Sequence, residues 1–160
     1  MTLEGLNEDF RDLLTLLADL GVEFLVVGAY ALAFHGAPRA SGDIDVFVRP
    51  SRENARRVFE ALRRFGAPLE TAGVTAAEFE QPGMVYQLGL PPRRIDLLTE
   101  LSGVGFDEAW ASRAQAEVDG RAVFFIGRDA LLKNKAATGR PKDLADITRL
   151  RTLPPRAEGR

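Results

Sequence analysis

The tripeptide Asp43-Ile44-Asp45 constrains this chain more than any other short stretch. It opens a run in which Ile44, Val46 and Val48 alternate with Asp43, Asp45 and Phe47, a period of two that predicts a β-strand. On a strand that period points both carboxylates to one face and Ile44 to the other. At a rise of roughly 3.3 Å per residue their Cα atoms lie about 6.6 Å apart, close enough for two short side chains to converge on one cation. Two carboxylates held together repel, and a divalent ion such as Mg²⁺, which takes oxygen ligands, turns that repulsion into binding. For the tripeptide alone, a solvated strand end is the plain alternative.

Two further stretches bear on the same chemistry. Glu23 to Gly28 is a short β-branched run that predicts a buried strand, followed directly by a short apolar helix, Ala29 to His35. A strand that ends in Gly28-Ala29 and opens into a helix presents free backbone N–H groups where an anion such as phosphate can approach; an ordinary turn glycine is the alternative. Asp96 lies in Arg94-Ile95-Asp96-Leu97-Leu98, an apolar strand pattern in which an unpaired carboxylate is expensive to bury. It needs a cation nearby, either a metal or a neighbouring arginine such as Arg93 or Arg94.

The remaining pattern supplies the frame. Asn7 is a good N-cap for a helix over about 8–20, with Gly21 as its stop, and Ser51 caps a helix to about Phe65. Met84 to Leu90 and Arg94 to Leu98 predict two strands, Val118 to Ile126 a hairpin turning at Asp119-Gly120, and Asp107 to Arg113 a short helix. Asp129 is expected to cap a helix to about Ala137, and Lys142 to Leu150 a last one, separated by Gly139 and Pro141. The segment from Ala67 to Pro82 carries little pattern. The order of elements predicts an α/β to α+β fold, a mixed β-sheet flanked by helices with two helices at the C-terminal end. One domain over residues 1–153 and a frayed tail over 154–160 are expected.

Composition narrows the chemistry. The 160 residues contain no cysteine, which removes disulfides, thiolate metal sites and thiol nucleophiles, and suits a reducing cytoplasm. His35 is the single histidine, so no two-histidine metal centre can form; the expected role for it is to end its helix and fix the loop that carries Arg39. A net charge of −2 lacks the field that drives sequence-blind binding to nucleic acid, so any such contact must be local. The run Phe24 to Phe34 is too short to cross a bilayer, and no membrane partner is expected.

Taken in order, Val27-Gly28-Ala29, the run His35-Gly36-Ala37-Pro38-Arg39-Ala40-Ser41-Gly42-Asp43-Ile44-Asp45, and Arg94-Ile95-Asp96-Leu97-Leu98 resemble the nucleotidyltransferases of the DNA polymerase β superfamily in their small prokaryotic form. The basic C-terminal stretch, Lys133-Asn134-Lys135 followed by Arg140-Pro141-Lys142-Asp143, is similar to that of the minimal and abortive-infection toxin members. The resemblance implies the nucleotidyltransferase fold. It implies that Asp43, Asp45 and Asp96 are catalytic and hold Mg²⁺ or Mn²⁺, and that Gly28, Ala29, Arg39, Ser41 and Lys133 bind a nucleoside triphosphate. The implied reaction moves a nucleoside monophosphate to a hydroxyl of a tRNA end, a partner protein or a small molecule, in a toxin–antitoxin setting with a cognate toxin or antitoxin. Where such enzymes usually carry glycine or serine after the first glycine, this chain has Ala29, which keeps the N–H and loses a hydroxyl. A catalytically silent domain that binds a partner is the alternative. The chain shows no second domain in which to seat an antibiotic.

Overall fold

Three amphipathic or capped segments set the frame of the computed structural model, which describes residues 6–39 and 42–154. Asn7 caps helix α1 (Glu8–Asp19), its Oδ1 accepting from the Asp9 N–H at 2.8 Å, and Phe10, Leu13, Leu14 and Leu17 form its buried face. Ser51 caps α3 (Arg52–Phe65), which buries Ala55, Val58, Ala61 and Leu62 and packs on α1. Between them, the fully buried strand β1 (Phe24–Val27) runs without a linker into α2 (Gly28–Phe34), and β2 (Ile44–Val48) follows. The predicted order holds through this half.

The weakly patterned stretch after α3 contains a short helix α4 (Leu69–Ala72) and a 3₁₀ turn, Ala76–Glu80, closed by reciprocal capping of Thr75 and Glu78. Phe79 on that turn is buried against α3, so the segment contributes to the core despite its polar sequence. Strands β3 (Val85–Leu88) and β4 (Ile95–Leu98) precede α5 (Phe106–Ala111). The hairpin β5 (Ala114–Val118) and β6 (Arg121–Phe125) turns at Asp119-Gly120, both with positive φ, as expected. Its first strand begins earlier than the sequence predicts, because Ala114-Gln115-Ala116-Glu117 has little β propensity of its own and is held by its register with β6. Helices α6 (Arg128–Thr138) and α7 (Pro141–Arg151) close the chain, with Gly139 left-handed and Pro141 at the first helical position. Asp129 is not the N-cap of α6; Gly127 is, and Asp129 lies exposed in the first turn.

The six strands form one mixed sheet in the order β3-β4-β2-β1-β6-β5. β1 pairs antiparallel with β2, and β2 pairs parallel with β4. The register places Val27 opposite Asp45 and Asp45 opposite Asp96. The end of β1, the start of α2 and the acidic positions of β2 and β4 therefore meet at one edge of the sheet centre. Among the described residues, no helix is long and apolar enough to cross a membrane. Most of the expected tail, residues 155–160, lies outside the described residues, as does Ser41.

Candidate active site

Register alone brings Asp45 against the turn from β1 into α2. A β-carbon at Gly28 would stand 2.4 Å from Asp45 Oδ2, and the residue has a φ of +65°, so glycine is required there on two counts. Gly42 is required for a different reason: a β-carbon would fall 1.7 Å from the Pro92 carbonyl oxygen, where the turn between β3 and β4 crosses the residue that precedes Asp43. These two close approaches lock the acidic strand between the α2 turn and the β3–β4 turn.

Asp43, Asp45 and Asp96 all line one cavity of about 580 Å³. Asp43 Oδ1 accepts from the Arg94 backbone N–H at 3.0 Å, and its Oδ2 lies 3.6 Å from Arg94 Nη2. Arg94 also donates through Nε and Nη2 to the two oxygens of Asp96, at 2.8 and 3.2 Å. Asp45 is close enough to Asp96 to share a proton with it, and burial, the Asp96 charge and the Asp43 charge together push its carboxyl up to about 6 against the partial relief from Arg94. Asp43 and Asp96 thus share one guanidinium, whose charge also acts on Asp45.

The opposite charge lines the rest of the cavity. Arg39, Lys135, Arg140 and Lys142 stand on its wall with Asn134 and Thr138. Arg140 forms a forked pair with Asp143, Nε to Oδ2 at 2.6 Å and Nη2 to Oδ1 at 3.1 Å, and it feels the charge of Asp45 as well. Lys135 is buried, with its ammonium 3.4 Å from Asp143 and 3.2 Å from Asp146. Burial by itself would raise the Asp143 carboxyl; hydrogen bonds from the Arg140 side chain, Thr138 and the Arg140 backbone, with the Lys135 charge, outweigh it and hold Asp143 well below the usual carboxylate range. Gly28 and Ala29 form the cavity wall between the two charged sides.

The lysine assignment needs correction. Lys133 does not line the cavity; its ammonium pairs with Glu108 at 2.8 and 3.0 Å. Residues two apart on a helix point to nearly opposite sides, so only one of Lys133 and Lys135 can face inward. Leu131 is buried on α6 and lies four residues before Lys135, so the docked face of the helix selects Lys135. His35 ends α2 as expected and donates through Nε2 to the Ile126 carbonyl at 2.8 Å, which fixes the loop leading to Arg39.

A divalent cation implied by the acidic pattern was tested on the donor set. Among the described residues, no three carboxylate or imidazole side chains are arranged around one point for a metal ion, since both Asp96 oxygens are occupied by Arg94. Mg²⁺ commonly takes only one or two carboxylates, with water and substrate phosphate oxygens completing its shell. Asp43 and Asp45 supply such a pair, and both line the cavity. The donor set fits in that form.

Comparison with known proteins gives the family and the fold. Over residues 6–159 the sequence matches the profile of a family described as nucleotidyl transferase of unknown function (DUF2204). No curated protein matches. Solved structures of similar fold include the lincosamide antibiotic adenylyltransferase LnuA bound to lincomycin, with 13% identity, a TM-score of 0.57, and 93% of this chain covering 98% of that one. ANT(2″)-Ia in complex with adenylyl-2″-tobramycin has 14% identity, a TM-score of 0.57, and coverage of 89% and 86%. A putative nucleotidyltransferase, TM1012, from Thermotoga maritima has 14% identity, a TM-score of 0.53, and coverage of 89% and 88%.

Proposed function

The chain belongs to the nucleotidyl transferase family matched over residues 6–159, and on that premise we propose that the 580 Å³ cavity carries out a metal-dependent transfer of a nucleoside monophosphate to a hydroxyl acceptor. One observation carries the proposal. A single cavity has one wall lined by Asp43, Asp45 and Asp96 and another lined by Arg39, Lys135, Arg140 and Lys142, which is the complement of a divalent cation bound to a polyphosphate.

Asp43 and Asp45 would hold Mg²⁺ or Mn²⁺, which when bound neutralises phosphate oxygens and the charge that develops on them. Arg39, Lys135, Arg140 and Lys142 bind the triphosphate and orient it, with the Gly28–Ala29 backbone as the surface against which the phosphates lie. Asp96 accepts the proton of the acceptor hydroxyl once Arg94 has released it. The acceptor oxygen then bonds to the α-phosphorus, the bond to the leaving oxygen breaks in line, and pyrophosphate departs. An RNA end, a protein or a small molecule can supply that hydroxyl. In LnuA and ANT(2″)-Ia the bound molecule is an antibiotic or its adenylyl conjugate, which makes a small-molecule acceptor worth testing beside the RNA and protein acceptors of a toxin–antitoxin pair.

The experiment is incubation with each α-labelled triphosphate, Mg²⁺ or Mn²⁺, and either cellular RNA, protein extract or a panel of polyhydroxylated small molecules. Label should pass to one acceptor class and should fail to pass with Asp43→Ala or Asp96→Ala. Full transfer by both variants overturns the assignment. The silent-domain reading draws on one observation, the engagement of Asp96 by Arg94. A melting temperature that rises with metal plus triphosphate, and with neither alone, excludes it.

A further inference from the structure

Behind the basic wall, α7 grips the loop that follows α2 at two successive turns. Asp146 Oδ2 lies 3.5 Å from Arg39 Nε, and Arg149, three residues on, donates through Nη2 to the Pro38 carbonyl at 2.6 Å. The same Asp146 oxygen lies 3.2 Å from Lys135 Nζ on α6. Asp146 is 3% exposed and is not part of the cavity wall, whereas both cations that it touches are. Neither contact reaches hydrogen-bond geometry at the Asp146 oxygen, and Arg39 Nε is likewise buried without a hydrogen-bond partner. Among the described residues Arg39 therefore keeps its guanidinium donors uncommitted while its charge is held in place.

We propose that Asp146 is a positioning residue for the triphosphate: from behind the wall it fixes Arg39 of the loop and Lys135 of α6 as one phosphate-binding pair. The inference rests on the reading of the cavity as a nucleotide site. Its logic is geometric. Arg39 sits on a loop, and an arginine side chain loses much conformational freedom when it binds, so a buried carboxylate that holds it beforehand removes that penalty. Lys135 comes from a separate helix, and among the described residues a shared counter-ion is the contact that ties the two cations together. Through Arg149 and Pro38 the same helix also holds the backbone of the loop that leads toward Asp43.

The sign of one substitution separates positioning from charge. Asp146→Asn removes a negative charge behind a phosphate site, which by electrostatics alone tightens phosphate binding. Positioning demands the reverse. Calorimetric titration in Mg²⁺ with ATP, GTP, CTP and UTP identifies the tightest triphosphate, which is then compared with its monophosphate. Asp146→Asn is expected to weaken the triphosphate roughly tenfold and the monophosphate less than about twofold, since the loosened pair meets only the outer phosphates. Unchanged or tighter triphosphate binding by a folded variant, with wild-type binding intact, overturns this inference and leaves the cavity reading standing. If Asp146→Asn does not fold, Arg39→Gln tests the same pair, because the Arg39 side chain is 30% exposed and Asp146 keeps its contact with Lys135. The same selective loss is expected, and equal triphosphate affinity refutes the pairing. A wild-type protein that binds none of the four triphosphates overturns both.

Discussion

The two charged walls of the cavity solve opposite electrostatic problems. On the sheet side, Asp43 and Asp96 share Arg94, and burial together with the Asp96 and Asp43 charges raises the Asp45 carboxyl to about 6. On the helix side, Arg39, Lys135 and Arg140 share Asp143 and Asp146, and the surplus of cations holds the Asp143 carboxyl far down. The sheet wall is strained by like charge and gains when a cation arrives. The helix wall is already paired, so each of its charges is structural as well as available to a ligand. Removing a carboxylate should therefore have opposite effects on the two sides.

The sharpest break is Lys135→Met. It leaves the buried Asp143 and Asp146 without their common cation, and loss of one partner from a buried pair is expected to lower stability by about 3–5 kcal/mol, read by urea denaturation at neutral pH. A variant as stable as wild type would mean that the helix wall is not held by its ion pairs. The sheet wall should answer to pH instead. Asp45 titrates near 3.8 when unfolded and at about 6 when folded, so between those values the native state holds more protons and stability falls as pH rises through the window. The fall amounts to at most about 3 kcal/mol, and in chelator the Asp45→Asn variant should show a flatter profile over the same range. A profile that Asp45→Asn leaves unchanged would remove the argument that this wall lacks positive charge.

Arg94→Gln sharpens the contrast further. In chelator it should lower the melting temperature, because Asp43 and Asp96 then lose the guanidinium that they share. Added Mn²⁺ should restore more stability to the variant than to wild type, a difference visible in the melting temperature. The smallest effect belongs to Lys133→Ala, which removes an exposed pair with Glu108; it is expected to change stability by less than about 0.5 kcal/mol and triphosphate affinity not measurably.

Much of the sheet wall was legible in the chain. Asp43 and Asp45 share a face because strand geometry has a period of two, and Gly28 stands out because an apolar strand passes into a helix there. The helix wall was legible only as a basic stretch. Choosing Lys135 over Lys133 requires knowing which side of α6 is buried, and the buried Leu131 provides it only once α6 is docked. Asp143 pairs locally with Arg140; the reach of Asp146 to Arg39, more than a hundred residues away, has no local signature.

Strand and helix periodicity, turn glycines and caps act within a few residues, so the order of elements and the common face of the two acids on β2 were set by the amino-acid sequence itself. The neighbours of those acids were not. That Asp45 stands beside Asp96, that Arg94 divides its guanidinium between two carboxylates, and that α7 holds the loop bearing Arg39 all depend on strand order and helix docking. Those are contacts between distant parts of the chain, and only the closing of the core decides them.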